Sequence, residues 1–169
     1  MPSPIGHALG GIAIAWAATP RRNWQAAAML TGAALAPDLD LLVGDHRSIT
    51  HSVGAATLAG LAAWCALALR GRWRDAARWG AAVALAWASH IGLDWLSNDT
   101  RPPLGVMALW PLGRDYYKAA IEIFPPVSRR FGEARFWTHN LTAAIVELAI
   151  LGPVLIFVLR SFRRTSEPD

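Results

Sequence analysis

The residues of this chain best suited to chemistry are its histidines and a few aspartates, and they gather where apolar stretches begin or end. His7 opens the first such stretch, Asp38 and Asp40 in P-D-L-D follow the second, and His46 and His51 in H-R-S-I-T-H-S lead into the third. His90 and Asp94 close the fourth, and His139 precedes the fifth. His90 and Asp94 are spaced i,i+4, so on a helix they share one face and can hold one ion. Asp38 and Asp40 bracket a hard or borderline cation from a turn, while His51 and His7 offer imidazole nitrogens from neighbouring helix ends. The set His7, Asp38, Asp40, His51, His90 and Asp94 mixes imidazole with carboxylate, which suits zinc, manganese or iron and is large enough for one or two ions. Each piece alone has a plainer reading: a capped pair, a helix stop with a turn, a satisfied interior histidine. Together the plainer reading is a polar network that locks helix ends.

Arg47 and His46 lie beside these ligands as candidate catalytic groups. A guanidinium at Arg47 can clamp a phosphate or carboxylate through two parallel bonds; its structural alternative is a salt bridge to Asp45 or Asp38. Helix starts at Ser3, near Ser48 or Thr50, and near Asn140 would aim positive dipole ends at the same place, which favours an anionic substrate. Glu147 falls about two turns inside the fifth apolar block and is the third catalytic candidate, because an intramembrane carboxylate is costly without a role. It could complete the metal shell, act as a base, or be a protonated group bonded to a Ser, Thr or Trp.

These residues need elements to position them, and composition restricts what the elements are. Hydrophobic residues make up 54% of the chain, charged residues 17%, and mean hydropathy is +0.29. Soluble domains carry roughly 25% charged residues, so a soluble enzyme is disfavoured. The net charge of +4 does not point to nucleic acid, because the Lys and Arg residues lie between apolar blocks, as membrane flanks do. The lone Cys65 sits in an apolar run and reads as a small buried hydrophobe.

The pattern predicts an all-α polytopic membrane bundle of about five apolar helices: 4 to 19, 23 to 36, 51 to 69, 77 to 96 and 141 to 159. Ser52 to Leu69 contains no charge and approaches the ~20 residues needed to cross hydrocarbon. The first two are shorter, and are either short spans or a re-entrant hairpin. Ser3 and Pro4 form a cap with a proline at the first helical position; Pro37 stops the second block. No Lys or Arg precedes the first block, which argues against a removed signal peptide. The whole chain, 1–169, reads as a single integral membrane domain, with 97–138 as an interfacial cap loop rich in proline and aromatic residues. Gly113 to Phe124 is expected to form a short interfacial helix there.

Odd-numbered crossings place Arg21, Arg22, Arg70, Arg72, Arg74, Arg78, Arg160, Arg163 and Arg164 on one face in short segments. The positive-inside rule makes that face cytoplasmic, with 160–169 as a cytoplasmic tail. All five histidines then converge on the extracytoplasmic face.

The ordered motifs P-S-P-I-G-H-A-L-G-G, P-D-L-D, H-R-S-I-T-H-S, S-H-I-G-L-D and W-P-L resemble the YdjM-type family of inner-membrane metal-dependent hydrolases over nearly the whole chain. The resemblance implies a bacterial or archaeal integral membrane protein, with His7, Asp38, Asp40, His46, His51, His90 and Asp94 matching the family's polar motifs. In residue kind the set is also similar to the helical metal sites of zinc-dependent phospholipase C. No H-E-x-x-H is present to supply a zincin-type protease.

The expected function is hydrolysis of a phosphoester in a membrane lipid or lipid-like anionic substrate at headgroup level, with a divalent ion as cofactor. A metal or proton transporter using the same residues, or a non-catalytic membrane partner protein, are the alternatives. Transport should need polar residues through the full depth, yet beyond Ser52 the third block offers only Thr57 and Cys65.

Overall fold

The computed structural model describes residues 2–19, 23–44, 46–100 and 102–162. Asp45, Arg21, Arg22, Arg163, Arg164 and most of the 160–169 tail lie outside them. Five α-helices, and no strands, form among the described residues: α1 (Pro4–Ala18), α2 (Trp24–Leu35), α3 (Val53–Ala68), α4 (Trp73–Trp95) and α5 (Phe136–Ser161). Two 3₁₀ segments, Ala36–Leu42 and Ile49–His51, join α2 to α3.

Local chemistry explains the helix starts. Ser3 caps α1, with Pro4 following, and the Asn23 side chain accepts from the Gln25 and Ala26 amides at the start of α2. The Ser52 hydroxyl accepts from Ala55 N at 3.0 Å and donates to Ile49 O, joining the second 3₁₀ segment to α3. α4 and α5 start several residues before their apolar runs. Arg72, Asp75 and Arg78 pair across the first turns of α4 at 2.7 and 3.3 Å, so this charged stretch is helical although its composition reads as a loop. The early start of α5 puts His139 and Asn140 inside its first turns, and Asn140 caps nothing.

The expected helix over Gly113 to Phe124 does not form. The backbone there is committed elsewhere: Tyr117 exchanges hydrogen bonds with Val106, Ala119 N donates to Trp95 O, and Ile123 N donates to Leu96 O. The segment closes the C-terminal end of α4, whose last carbonyls have no helical partner.

Beside an apolar interior, several polar groups are buried while many large apolar side chains are exposed. His7, His51, His90 and Glu147 are fully buried, whereas Leu112, Leu42 and Phe157 are 92%, 84% and 69% exposed. Burying polar groups while exposing leucines is costly in water and natural against hydrocarbon. By length and composition α5 is the one described helix able to cross a membrane; α1 and α3 are apolar but shorter. Cys65, expected inside, is exposed, because the inner face of α3 is taken by smaller residues.

The interior of α1, α2 and α4 is largely alanine: Ala15, Ala27, Ala34, Ala82 and Ala86 surround Leu30. Glycines bring the backbones closer still. A Cβ on Gly60 of α3 would lie 2.7 Å from the Gly80 carbonyl of α4, and one on Gly80 would lie 2.9 Å from the Gly60 carbonyl. Small residues at such crossings allow association without a hydrophobic driving force. Gly60→Leu should therefore lower stability by about 2 kcal/mol or more, read as an earlier thermal transition in detergent. Gly32→Ala, where a Cβ meets nothing within 4 Å, should be neutral or slightly stabilising; equal melting of the two variants would contradict this packing.

Candidate metal centre

Four elements deliver the titratable residues to one buried place. The 3₁₀ turn that follows Pro37 presents Asp38 and Asp40, the 3₁₀ turn before α3 presents His51, α4 presents His90 and Asp94 from successive turns, and α1 presents His7. Ligand atoms of Asp38, His51, His90 and Asp94 all lie within 4.8 Å of one another. His51 Nε2 is 3.0 Å from His90 Nε2, 3.2 Å from Asp94 Oδ2 and 3.7 Å from Asp38 Oδ1. The His7 ring stacks on His90 at 3.7 Å, with Nε2 3.5 Å from Asp94 Oδ1.

The outer nitrogens fix the tautomers. His90 Nδ1 lies 2.7 Å from the Ala34 carbonyl, which only accepts, so Nδ1 carries the proton. His51 Nδ1 faces Asp40 Oδ2 at 3.1 Å and Thr50 Oγ1 at 3.0 Å; the Thr50 hydroxyl already donates to Asp40, so His51 Nδ1 donates as well. Both Nε2 atoms, in the neutral rings, then turn lone pairs toward each other. Asp38 Oδ1 and both Asp94 oxygens add further lone pairs, and none of the three has a hydrogen-bond donor. Buried acceptors without donors are costly. A cation among them removes that cost, and an outer N–H held by a carbonyl or carboxylate is the usual support of a metal-bound imidazole. The donor set fits zinc or a similar divalent ion.

Without a cation the cluster stabilises a proton. Burial alone would depress His51, but the carboxylates of Asp38, Asp40 and Asp94 outweigh it and push its pKa up to about 10. Burial would likewise raise Asp38, yet His51 and the neighbouring imidazoles hold it below its ordinary value.

Asp40, expected as a ligand, is occupied by orienting others. Its Oδ1 accepts from His46 Nδ1 at 2.7 Å, and its Oδ2 from Arg47 N at 3.0 Å, Thr50 Oγ1 at 2.7 Å and His51. These bonds hold Asp40 well below the usual carboxylate range against the effect of burial. Asp38, Asp40, His46 and His51 also stand close enough for an ion, but with Asp40 so engaged the donor accounting favours a single ion at the first group.

The catalytic candidates separate. His46 lies at the rim, 16% exposed, with Nδ1 on Asp40 and Nε2 3.2 Å from an Arg129 nitrogen. Arg47 sits at φ 65°, and its guanidinium pairs with Asp99 at 2.7 Å, so the salt-bridge alternative at Asp38 is replaced by one from the cap loop. Its backbone also ties that loop to the cluster, since Arg47 O accepts from Met107 N. Glu147 stands apart: it accepts from Ser3 N, Ser3 Oγ and Gly6 N, anchoring α5 to the N-terminus of α1, where free amides and the helix dipole favour a carboxylate. A base or ligand role for Glu147 is thereby replaced by a cap, with Ser3 the partner that one alternative required. His139 donates from Nε2 to Pro126 O, outside the cluster.

Sequence reasoning missed Thr50, Ala34 and Arg129. The Thr in H-R-S-I-T-H-S carried the only visible signal; a backbone carbonyl carries none.

A family model described as YdjM inner membrane protein matches residues 1–165. No curated protein and no solved structure matches.

Proposed function

We propose that this chain, which belongs to the YdjM inner membrane protein family, is a membrane-embedded metal-dependent hydrolase of lipid or lipid-like phosphoesters. The carrying observation is the pair of facing Nε2 atoms, 3.0 Å apart, among carboxylate oxygens that no donor satisfies. Asp38, His51, His90 and Asp94 hold the ion, with His7 beside them; zinc suits them best, and manganese or iron also fit. Such an ion, when bound, lowers the pKa of a water toward ~7 and polarises the scissile phosphoryl group. Asp40 fixes the His46 tautomer through Nδ1, so the Nε2 lone pair faces outward, where it accepts from Arg129 at 3.2 Å. Once Arg129 turns to the substrate phosphate, Nε2 takes the proton of the attacking water. Arg47 and Arg129 meet the anionic substrate at the rim.

In this reading the whole chain is one polytopic membrane domain, α5 crossing fully and α1 to α4 packed with it in the bilayer. The 97–138 segment is the interfacial cap, and Leu104, Leu109, Leu112 and Ile121, all exposed, lie toward lipid. The Arg-rich short loops and the tail face the cytoplasm and the cluster faces outward, with an acyl chain in the membrane and its headgroup at His46. Transit of ions has less support, since the one hydroxyl within α3, Thr57, is bonded to its own helix at Val53 O.

The test is turnover of inner-membrane phospholipids by zinc-loaded protein in nanodiscs, followed by mass spectrometry. A phosphorylated headgroup or a dephosphorylated lipid should accumulate, and His46→Gln should keep the ion while slowing release about 10²-fold or more. Unchanged lipids with fully loaded protein, or a His46→Gln variant of normal rate, would sink this reading.

A further inference from the structure

Beside the cluster lies a cavity of about 660 Å³, of whose lining the hydrolytic reading uses only His46, Arg47 and Arg129. Its wall includes Arg47, Ser128, Arg129, Arg130, Arg135 and His139. Among the described residues the opposing charge is small: Glu133, paired with Arg130 at 2.7 Å, and Asp99 behind Arg47. The wall is built and held in place. Asn140 of α5 accepts from Ser128 N at 2.8 Å and donates to Ser128 O at 3.0 Å, while His139 holds Pro126 O at 2.7 Å. Two successive residues of α5 thus fasten Pro126 and Ser128, and with them Arg129 and Arg130, over the opening. The N-terminal end of α5, which carries the positive end of its dipole, supplies Arg135 and His139 to the same wall. Most of the lining residues are polar or charged, the exceptions being Gly44, Val127 and three prolines, and the cationic side chains suit an anion.

We propose that this cavity is a phosphate-binding subsite, distinct from the metal cluster, which accepts a second phosphate of the substrate headgroup. Guanidinium forks match phosphate oxygens in pairs, and a cavity of this size accommodates a phosphorylated headgroup. His46 joins the two places, with Nδ1 on Asp40 and Nε2 on Arg129. A molecule spanning them presents one phosphoester to the cluster and carries a second phosphate, as a diphosphate or a phosphorylated headgroup does. In this form the inference rests on the hydrolytic reading; phosphate capture by the arginines does not.

The experiment uses the full chain in detergent after chelator treatment, so neither metal nor turnover enters the result. Inorganic phosphate and pyrophosphate are titrated calorimetrically. In a second arm, the protein is tested for binding to phosphatidylcholine nanodiscs with and without phosphatidic acid. Binding of inorganic phosphate supports the subsite and shows that it takes free anions; binding only to phosphatidic acid supports it and assigns the lipid as source. Arg129→Gln with Arg135→Gln should weaken binding at least about tenfold, and the corresponding double Lys variant should recover part of it. Both side chains are exposed, so these variants should fold. No binding in either arm, or equal binding by the double Gln variant, overturns the subsite while leaving the hydrolytic reading standing; loss of turnover with phosphate binding intact does the reverse.

Discussion

Asp94→Asn should empty the centre of its ion while leaving the protein folded. The side chain is 2% exposed and neither oxygen has a donor, so Asn fits the same volume and removes only charge and one acceptor. Its amide would donate toward His7, but one of the carboxylates that hold a proton on His51 in the ion-free cluster is lost, so melting of the stripped protein in detergent should fall modestly while the fold persists. Metal affinity should fall by more than the 10–100-fold typical for loss of an outer-sphere partner, because the proposed centre counts Asp94 among the ligands themselves. His51→Ala and His90→Ala should lose metal similarly but also leave cavities. Normal metal content in Asp94→Asn would remove that residue from the ligand set. His139→Ala, outside the ligand group, should retain its ion.

Metal affinity should also depend steeply on pH. An ion binds neutral His51, whereas without it the ring holds a proton up to about pH 10. Every unit of acidification between about pH 9 and 6 should therefore weaken apparent affinity about tenfold, with one proton released per ion bound. The sign for folding is opposite. A raised histidine pKa stabilises the ion-free fold fully below its ordinary value of 6.5 and loses that contribution as pH rises through about 10. Competition with a chelator at several pH values reads the first effect, and melting of the stripped protein reads the second. A flat affinity profile would mean that His51 is not a ligand.

The parts legible in the sequence were those governed by local chemistry and by residue type. Ser3 with Pro4, the charge-free run after Ser52 and the i,i+4 pair His90 and Asp94 each signal their own element or face, and residue kind alone singled out Asp38 and His51. What failed depended on long-range partners. Gly113 to Phe124 is extended because Trp95, Leu96 and Val106 take its backbone hydrogen bonds. Glu147 caps a helix 141 residues away from it in sequence, and Arg47 meets Asp99 across the cap loop. Asp38 and Asp40 look alike in P-D-L-D, yet only the fold shows that one keeps a bare oxygen and the other is filled by four donors.

The most direct measurement is metal content per chain of the purified full-length protein at about pH 8, combined with X-ray absorption at the edge of the metal found. A single divalent ion per chain, with imidazole nitrogens and carboxylate oxygens in its shell at the ~2.0–2.2 Å expected for zinc, is the predicted result. A protein that stays folded with far less than one ion per chain after reconstitution, or an ion with no imidazole in its shell, would contradict the account and reduce the cluster to a polar network locking helix ends.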